Sequence, residues 1–136
     1  MAKLLIIDDT ENNRILLSRR LKPRGHKILL AEDAEKGLAI AKEQLPHLVL
    51  MDIGLPGMDG WEATRCLRAE PTLKGVIVIA LTAHAMAGDR DKAFAAGCDE
   101  YESKPINFPA LFEKIDALLA KQAESTASTS TPAQPT

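Results

Sequence analysis

Leu48-Val49-Leu50-Met51-Asp52-Ile53-Gly54-Leu55-Pro56-Gly57-Met58-Asp59-Gly60 is the stretch on which the fold turns. Its first four residues are apolar without polar alternation, which suits a strand buried on both faces of a parallel sheet. Asp52 ends the run, and the Gly/Pro segment from Gly54 to Gly57 is turn chemistry. Asp59 then stands at a helix N-cap, with Glu62 three residues on in capping-box spacing. The helix read over 60–70 stops before Pro71. The stretch is one strand–loop–helix unit with a carboxylate at the end of its strand.

The same unit recurs in both directions. Leu4-Leu5-Ile6-Ile7, Ile28-Leu29-Leu30-Ala31 and Val76 to Leu81 are short, continuous apolar runs. A weaker run over 99–103 reads as an edge strand, where one side can face water. Between the runs, helical patterns cover 11–22, 34–45, 87–96 and 108–121. The second carries Leu38, Ala41 and Leu45 on one face after a cap at Asp33 and stops before Pro46. The third ends at Gly97. The last follows Asn107 and has a 3.6-residue stripe of Phe108, Leu111, Phe112, Ile115, Leu118 and Leu119. Strand and helix alternating five times predicts an α/β, (βα)5 doubly wound parallel sheet. From Ala123 the chain reads AESTASTSTPAQPT, without a large apolar residue. The expected organisation is one domain over 1–122 and a flexible Ser/Thr/Pro-rich tail over 123–136.

Composition narrows the function. The 136 residues are 46% hydrophobic and 26% charged, with a formal net charge of −2. That balance supports a packed core without staples and gives no basic footprint for nucleic acid. The apolar runs fall far below the ~20 residues that span a bilayer, and no signal-peptide pattern opens the chain. Cys66 and Cys98 form no CxxC, which argues against a disulfide scaffold or zinc site and fits a cytoplasmic location.

Polar residues close the apolar runs. Asp8 and Asp9 follow the first, Asp52 the third, Thr82 the fourth and Lys104-Pro105 the fifth. In a parallel sheet these C-terminal ends share one edge, where α/β proteins bind ligands. Taken singly, each has an ordinary explanation: Asp8 or Asp9 as a helix cap, Thr82 as a strand end, Lys104 as a surface charge. If the sheet is ordered 2-1-3-4-5, strands 1 and 3 are neighbours and three carboxylates converge there. Such a cluster repels itself unless a cation joins it, and a hard divalent ion with oxygen ligands, Mg²⁺, is the natural candidate. With Lys104 as a fixed cation and Thr82 as a donor, the set suits phosphoryl transfer.

These motifs resemble those of response regulator receiver domains, the CheY-like superfamily. They stand here as IIDDTENN, LVLMDIGLPGMDG, IALTAHA and YESKPI, and the resemblance covers about residues 3–121. Asn13 in DDTENN resembles stand-alone receivers of the DivK type or receivers of hybrid kinases. The sheet order 2-1-3-4-5 is what the family implies. The family further implies that Asp52 is the phospho-acceptor and that Asp9 and Asp52 bind Mg²⁺ directly. The backbone carbonyl of Gly54 would be a third ligand, and Asp8 would act through water. Lys104 would pair with phosphoryl oxygens, Pro105 would follow a cis peptide bond, and Thr82 would hydrogen-bond the phosphoryl group. Movement of Thr82 would let Tyr101 turn inward and remodel the face built by 87–96, 99–103 and 108–121. His84, two residues past Thr82, would modulate the dephosphorylation rate.

The resemblance implies a single-domain response regulator, phosphorylated by a histidine kinase or a histidine phosphotransfer protein and acting on a downstream protein effector. An alternative is a phosphorelay intermediate or a hybrid-kinase receiver that passes the group to another histidine. A third reading, a small-molecule enzyme on a flavodoxin-like scaffold, meets an acidic loop, DDTENN, that would repel a flavin phosphate. No second hydrophobic pattern follows 121, so direct DNA binding is not expected. Elsewhere Trp61 is read as partly buried, Cys66 and Cys98 as small hydrophobes, and His26 and His47 as structural residues at the opposite edge.

Overall fold

Each apolar run forms a strand, and each intervening pattern forms a helix. The computed structural model describes residues 2–55, 57–82 and 87–130, with side chains for all of these except 87–90 and 124–130. The strands are β1 (Lys3–Ile7), β2 (Lys27–Ala31), β3 (Leu48–Asp52), β4 (Ile77–Thr82) and β5 (Glu100–Ser103). The helices are α1 (Glu11–Leu21), α2 (Ala34–Gln44), α3 (Gly60–Ala69), α4 (Ala87–Ala96) and α5 (Phe108–Ser130). All strand pairs are parallel, and the sheet order is β2-β1-β3-β4-β5. This is the expected doubly wound fold.

The continuous apolar runs are explained by two cores, one on each face of the sheet. Side chains alternate along a strand, so odd and even residues part company. Leu5, Ile7, Val49, Met51, Val78 and Ala80 pack with Ala34, Ala41, Ala63, Leu67 and Ala93, under α2, α3 and α4. Leu4, Ile6, Leu48, Leu50, Ile77, Ile79 and Leu81 pack with Leu17, Leu21, Phe108, Leu111 and Ile115, under α1 and α5. Burying one such side chain contributes about 1.5–3 kcal/mol before chain entropy is counted. β2, at the edge of the sheet, departs from this reading: its run does not alternate, yet Leu30 is 43% exposed.

Caps read from the sequence are made. Asp33 accepts from the Lys36 amide at 2.8 Å, Asp59 from the Glu62 amide at 2.8 Å and Asn107 from the Ala110 amide at 3.1 Å. Gly97 takes a positive φ of 107°, which lets the chain leave α4 and turn into β5.

Three readings change. Leu45 does not share the buried face of α2: it is the C-cap, with φ at 50°, and is 52% exposed. Pro46 prevents the helix from continuing, so Leu45 is turned outward. Cys66 is exposed on α3, whereas Cys98 is buried as read. Finally, α5 does not stop at 121 but runs to Ser130. Lys121, Gln122, Ala123 and Glu124 are good helix formers, and no proline interrupts before Pro132. Residues 131–136 of the expected tail, and His84, lie outside the described residues.

Candidate functional site at the carboxyl edge of the sheet

Strand parity places the site. Asp8 and Asp52 continue the even positions of β1 and β3, and Lys104 the even positions of β5, so all three belong to the α1/α5 side. Parallel pairing of β1 with β3, with Ile7 opposite Met51, brings the two carboxylates to one level. One oxygen from each of Asp8, Asp9 and Asp52 lies within 4.8 Å of the others. Asp8 is fully buried, Asp52 is 5% exposed, and Asp9 is open to solvent.

Lys104 supplies the counter-charge. Its Nζ donates to Asp52 Oδ1 at 3.2 Å and to Asp8 Oδ2 at 3.5 Å. The Lys104 amide donates to the Thr82 carbonyl at 2.7 Å, which docks the chain after β5 against the end of β4. The Lys104–Pro105 peptide is cis. One lysine facing three carboxylates leaves the cluster short of positive charge. Three hard oxygen donors with no sulfur or imidazole fit a divalent ion such as Mg²⁺.

The turn after β3 is fastened by the site itself. The Gly54 amide donates to Asp52 Oδ1 at 3.0 Å. Gly60 opens α3 so close to the strand end that an added Cβ would lie 2.6 Å from the Asp52 carbonyl oxygen. Only glycine fits this approach, because the helix start presses on the backbone of the acceptor strand.

Thr82 and Tyr101 occupy the other face. Thr82 continues the parity of Val78 and Ala80 and is buried. Tyr101 sits opposite Ala80, is half-buried and packs against the same core. The two are therefore diagonal neighbours on adjacent strands, close enough for a large ring to respond to a change at the threonine. On the opposite face of β5, Glu102 is buried and pairs with Lys114 of α5 at 2.7 Å. Lys114 also donates to the Tyr101 carbonyl at 2.8 Å.

Two contacts escaped the sequence. The Asn13 side-chain Nδ2 donates to both oxygens of Asp8, at 3.4 and 3.3 Å. Arg14 Nη1 donates to the Asp8 carbonyl at 2.7 Å. The signal available was helical: a start at residue 11 puts 13 and 14 on the first turn, facing back to the strand end. A cavity of about 230 Å³ opens beside these residues, lined by Asp8, Asn13, Leu16, Leu17, Lys104, Pro105, Ile106 and Phe108. A larger one, about 660 Å³, lies at the opposite edge around His47, Val76 and Gln122, away from the carboxylates.

The family model described as response regulator receiver domain matches residues 4–116. The chain belongs to the response regulator receiver family. This receiver is 35% identical over 120 residues to Protein PilH of Pseudomonas aeruginosa, covering 88% of this chain and 99% of that one. It is 36% identical over 116 residues to the polar-differentiation response regulator DivK of Brucella anthropi, covering 85% and 94%. Among solved structures it resembles the receiver domain of the Pseudomonas aeruginosa sensor histidine kinase PA1611, which has a magnesium ion in its active-site cleft. That match has a TM-score of 0.81 at 31% identity and covers 88% of this chain and 98% of that one. The receiver is thus a signalling domain of two-component systems rather than a small-molecule enzyme, and the flavodoxin-like reading falls away. No helix among the described residues is long and apolar enough to cross a membrane.

Proposed function

We propose that Asp52 is the phospho-acceptor of a single-domain response regulator. The observation that carries this is the cluster itself: three carboxylates at one sheet edge with Lys104 Nζ 3.2 Å from Asp52. A carboxylate oxygen of Asp52 attacks phosphorus in line, forming an O–P bond as the N–P bond of a phosphohistidine breaks. Lys104 then pairs with the phosphoryl oxygens, whose negative charge it is already placed to meet. Asp9 and Asp52, with the Gly54 carbonyl, would hold Mg²⁺, and Asp8 would act through water. When bound, the ion supplies charge neutralisation and positioning for the phosphoryl group.

Transmission rests on the other face of the sheet. Thr82 donates a hydrogen bond to the phosphoryl group, and Tyr101, its diagonal neighbour, takes up the space released. The surface of α4, β5 and α5 is then the face that a protein effector reads. The phosphodonor is a histidine kinase or a histidine phosphotransfer protein, acting on residues 1–122, in the cytoplasm. Similarity to a sensor-kinase receiver supports a second role, passing the phosphoryl group onward in a relay.

Acetyl phosphate with Mg²⁺ tests the acceptor. Intact mass should rise by one phosphate in the wild type and stay flat in Asp52→Asn. Equal labelling of the variant would place the phosphoryl group elsewhere. Thr82→Ala should still be labelled, yet lose the NMR shifts that beryllofluoride induces across residues 91–119.

A further inference from the structure

The start of α1 departs from the capping pattern of its neighbours. Thr10 occupies the N-cap in extended conformation, but its side chain makes no cap hydrogen bond. Asn13 stands at the third helical position, which in a capping box holds a Glu or Gln that reaches back to the N-cap amide. Here the Thr10 amide is taken by Asp8 Oδ1 at 2.9 Å, and Asn13 donates instead to both oxygens of that carboxylate. Among the described residues, the caps at Asp33, Asp59 and Asn107 are made in the ordinary way. A local preference surrendered at one helix, beside a charged cluster, points to a demand of the site.

The Asp8 carboxylate is fully buried and depends on protein donors. Those donors are the Thr10 backbone amide, the Asn13 side-chain Nδ2 and Lys104 Nζ, and the last is nearer to Asp52. Lys104 is therefore a shared cation, committed first to the acceptor. Among the described residues, Asn13 is the neutral side chain bonded to Asp8, and it touches both oxygens, which fixes the carboxylate plane.

We infer that Asn13 is a positioning residue of the divalent-cation centre. Its amide holds the Asp8 carboxylate so that the cluster is set before the ion arrives. The inference rests on the Mg²⁺ reading proposed above and adds a residue to it. Groups that hold metal-site carboxylates typically govern affinity by 10–100-fold, because an unheld carboxylate must be ordered again on binding.

Isothermal calorimetry with Mg²⁺ alone tests this on wild type, Asn13→Ala, Asn13→Gln and Asn12→Ala, with melting in EDTA as the measure of folding. Asn13→Ala should weaken Mg²⁺ roughly 10-fold, while Asn12→Ala, at an exposed neighbour, binds like wild type. Asn13→Gln keeps the amide and should recover part of the loss. If Asn13→Ala binds within about twofold of wild type, or Asn12→Ala weakens as much, the inference is overturned. Should Asn13→Ala melt lower than the others, Asn13→Gln decides: recovered affinity supports positioning, and affinity as poor as the alanine variant's overturns it. Wild type that binds no Mg²⁺ would overturn the site reading and this inference together. Wild type that binds Mg²⁺ and is labelled at Asp52, beside an unaffected Asn13→Ala, would overturn only the inference.

Discussion

Removing the charge of the proposed acceptor should make the metal-free protein more stable. Asp52 faces two carboxylates whose oxygens lie within 4.8 Å. At an effective dielectric near 20, each such pair repels by about 3.5 kcal/mol. The Lys104 ammonium, 3.2 Å away, returns about 5 kcal/mol on the same scale. Repulsion exceeds attraction by about 1–2 kcal/mol, and Asp52 is too buried for water to screen the difference. Asn at this position keeps an oxygen for the Gly54 amide, so the turn after β3 survives. Asp52→Asn should therefore raise the melting temperature in EDTA by about 3–8 °C. Mg²⁺ should raise the wild type further by mass action and the variant much less. Scanning calorimetry of both proteins, in EDTA and in excess Mg²⁺, reads all four values. A variant that melts at or below wild type in EDTA, or gains as much from Mg²⁺, would refute the reasoning.

Arg68 should be a large structural contributor outside the site, since it donates to the carbonyls of Gly97, Lys74 and Val76 and to Asp99. Arg68→Ala should cost about 2–4 kcal/mol in urea unfolding, and a loss below ~1 kcal/mol would contradict the network. Of the two cysteines, burial pushes the Cys98 thiol up to about 11, whereas Cys66 is exposed. A disulfide reagent at pH 8 should titrate one thiol in the folded protein and the second only after denaturation. Truncation after Gln122 should leave melting within about 1 °C, because Gln122 retains its bonds to the His47 and Gly75 carbonyls. A fall of several degrees would show that the end of α5 packs against the domain.

Much of this protein is legible in one dimension because its decisive signals are local. Unalternated apolar runs specify the strands, and Asp33, Asp59 and Asn107 mark helix starts within one turn. The carboxylates, Thr82 and Lys104 announce themselves by closing those runs, so the parallel fold alone is enough to gather them at one edge. What the chain order could not supply is anything set by which face a side chain takes after packing. Leu45 continues an apolar stripe in sequence, but Pro46 ends the helix and turns it to solvent. The run over 99–103 reads as an edge strand with one side able to face water, yet Glu102 on that strand is buried and Lys114 of α5 neutralises it. Asn13 carries no metal-site spacing of its own; it meets Asp8 only because the short link from β1 folds the first turn of α1 back over the strand end. Parity likewise separates Asp52 and Lys104 on one face from Thr82 and Tyr101 on the other, and that division exists only once register and sheet order are fixed in three dimensions. Local propensity follows from neighbours along the chain, whereas burial, pairing and the face of each side chain follow from neighbours across it.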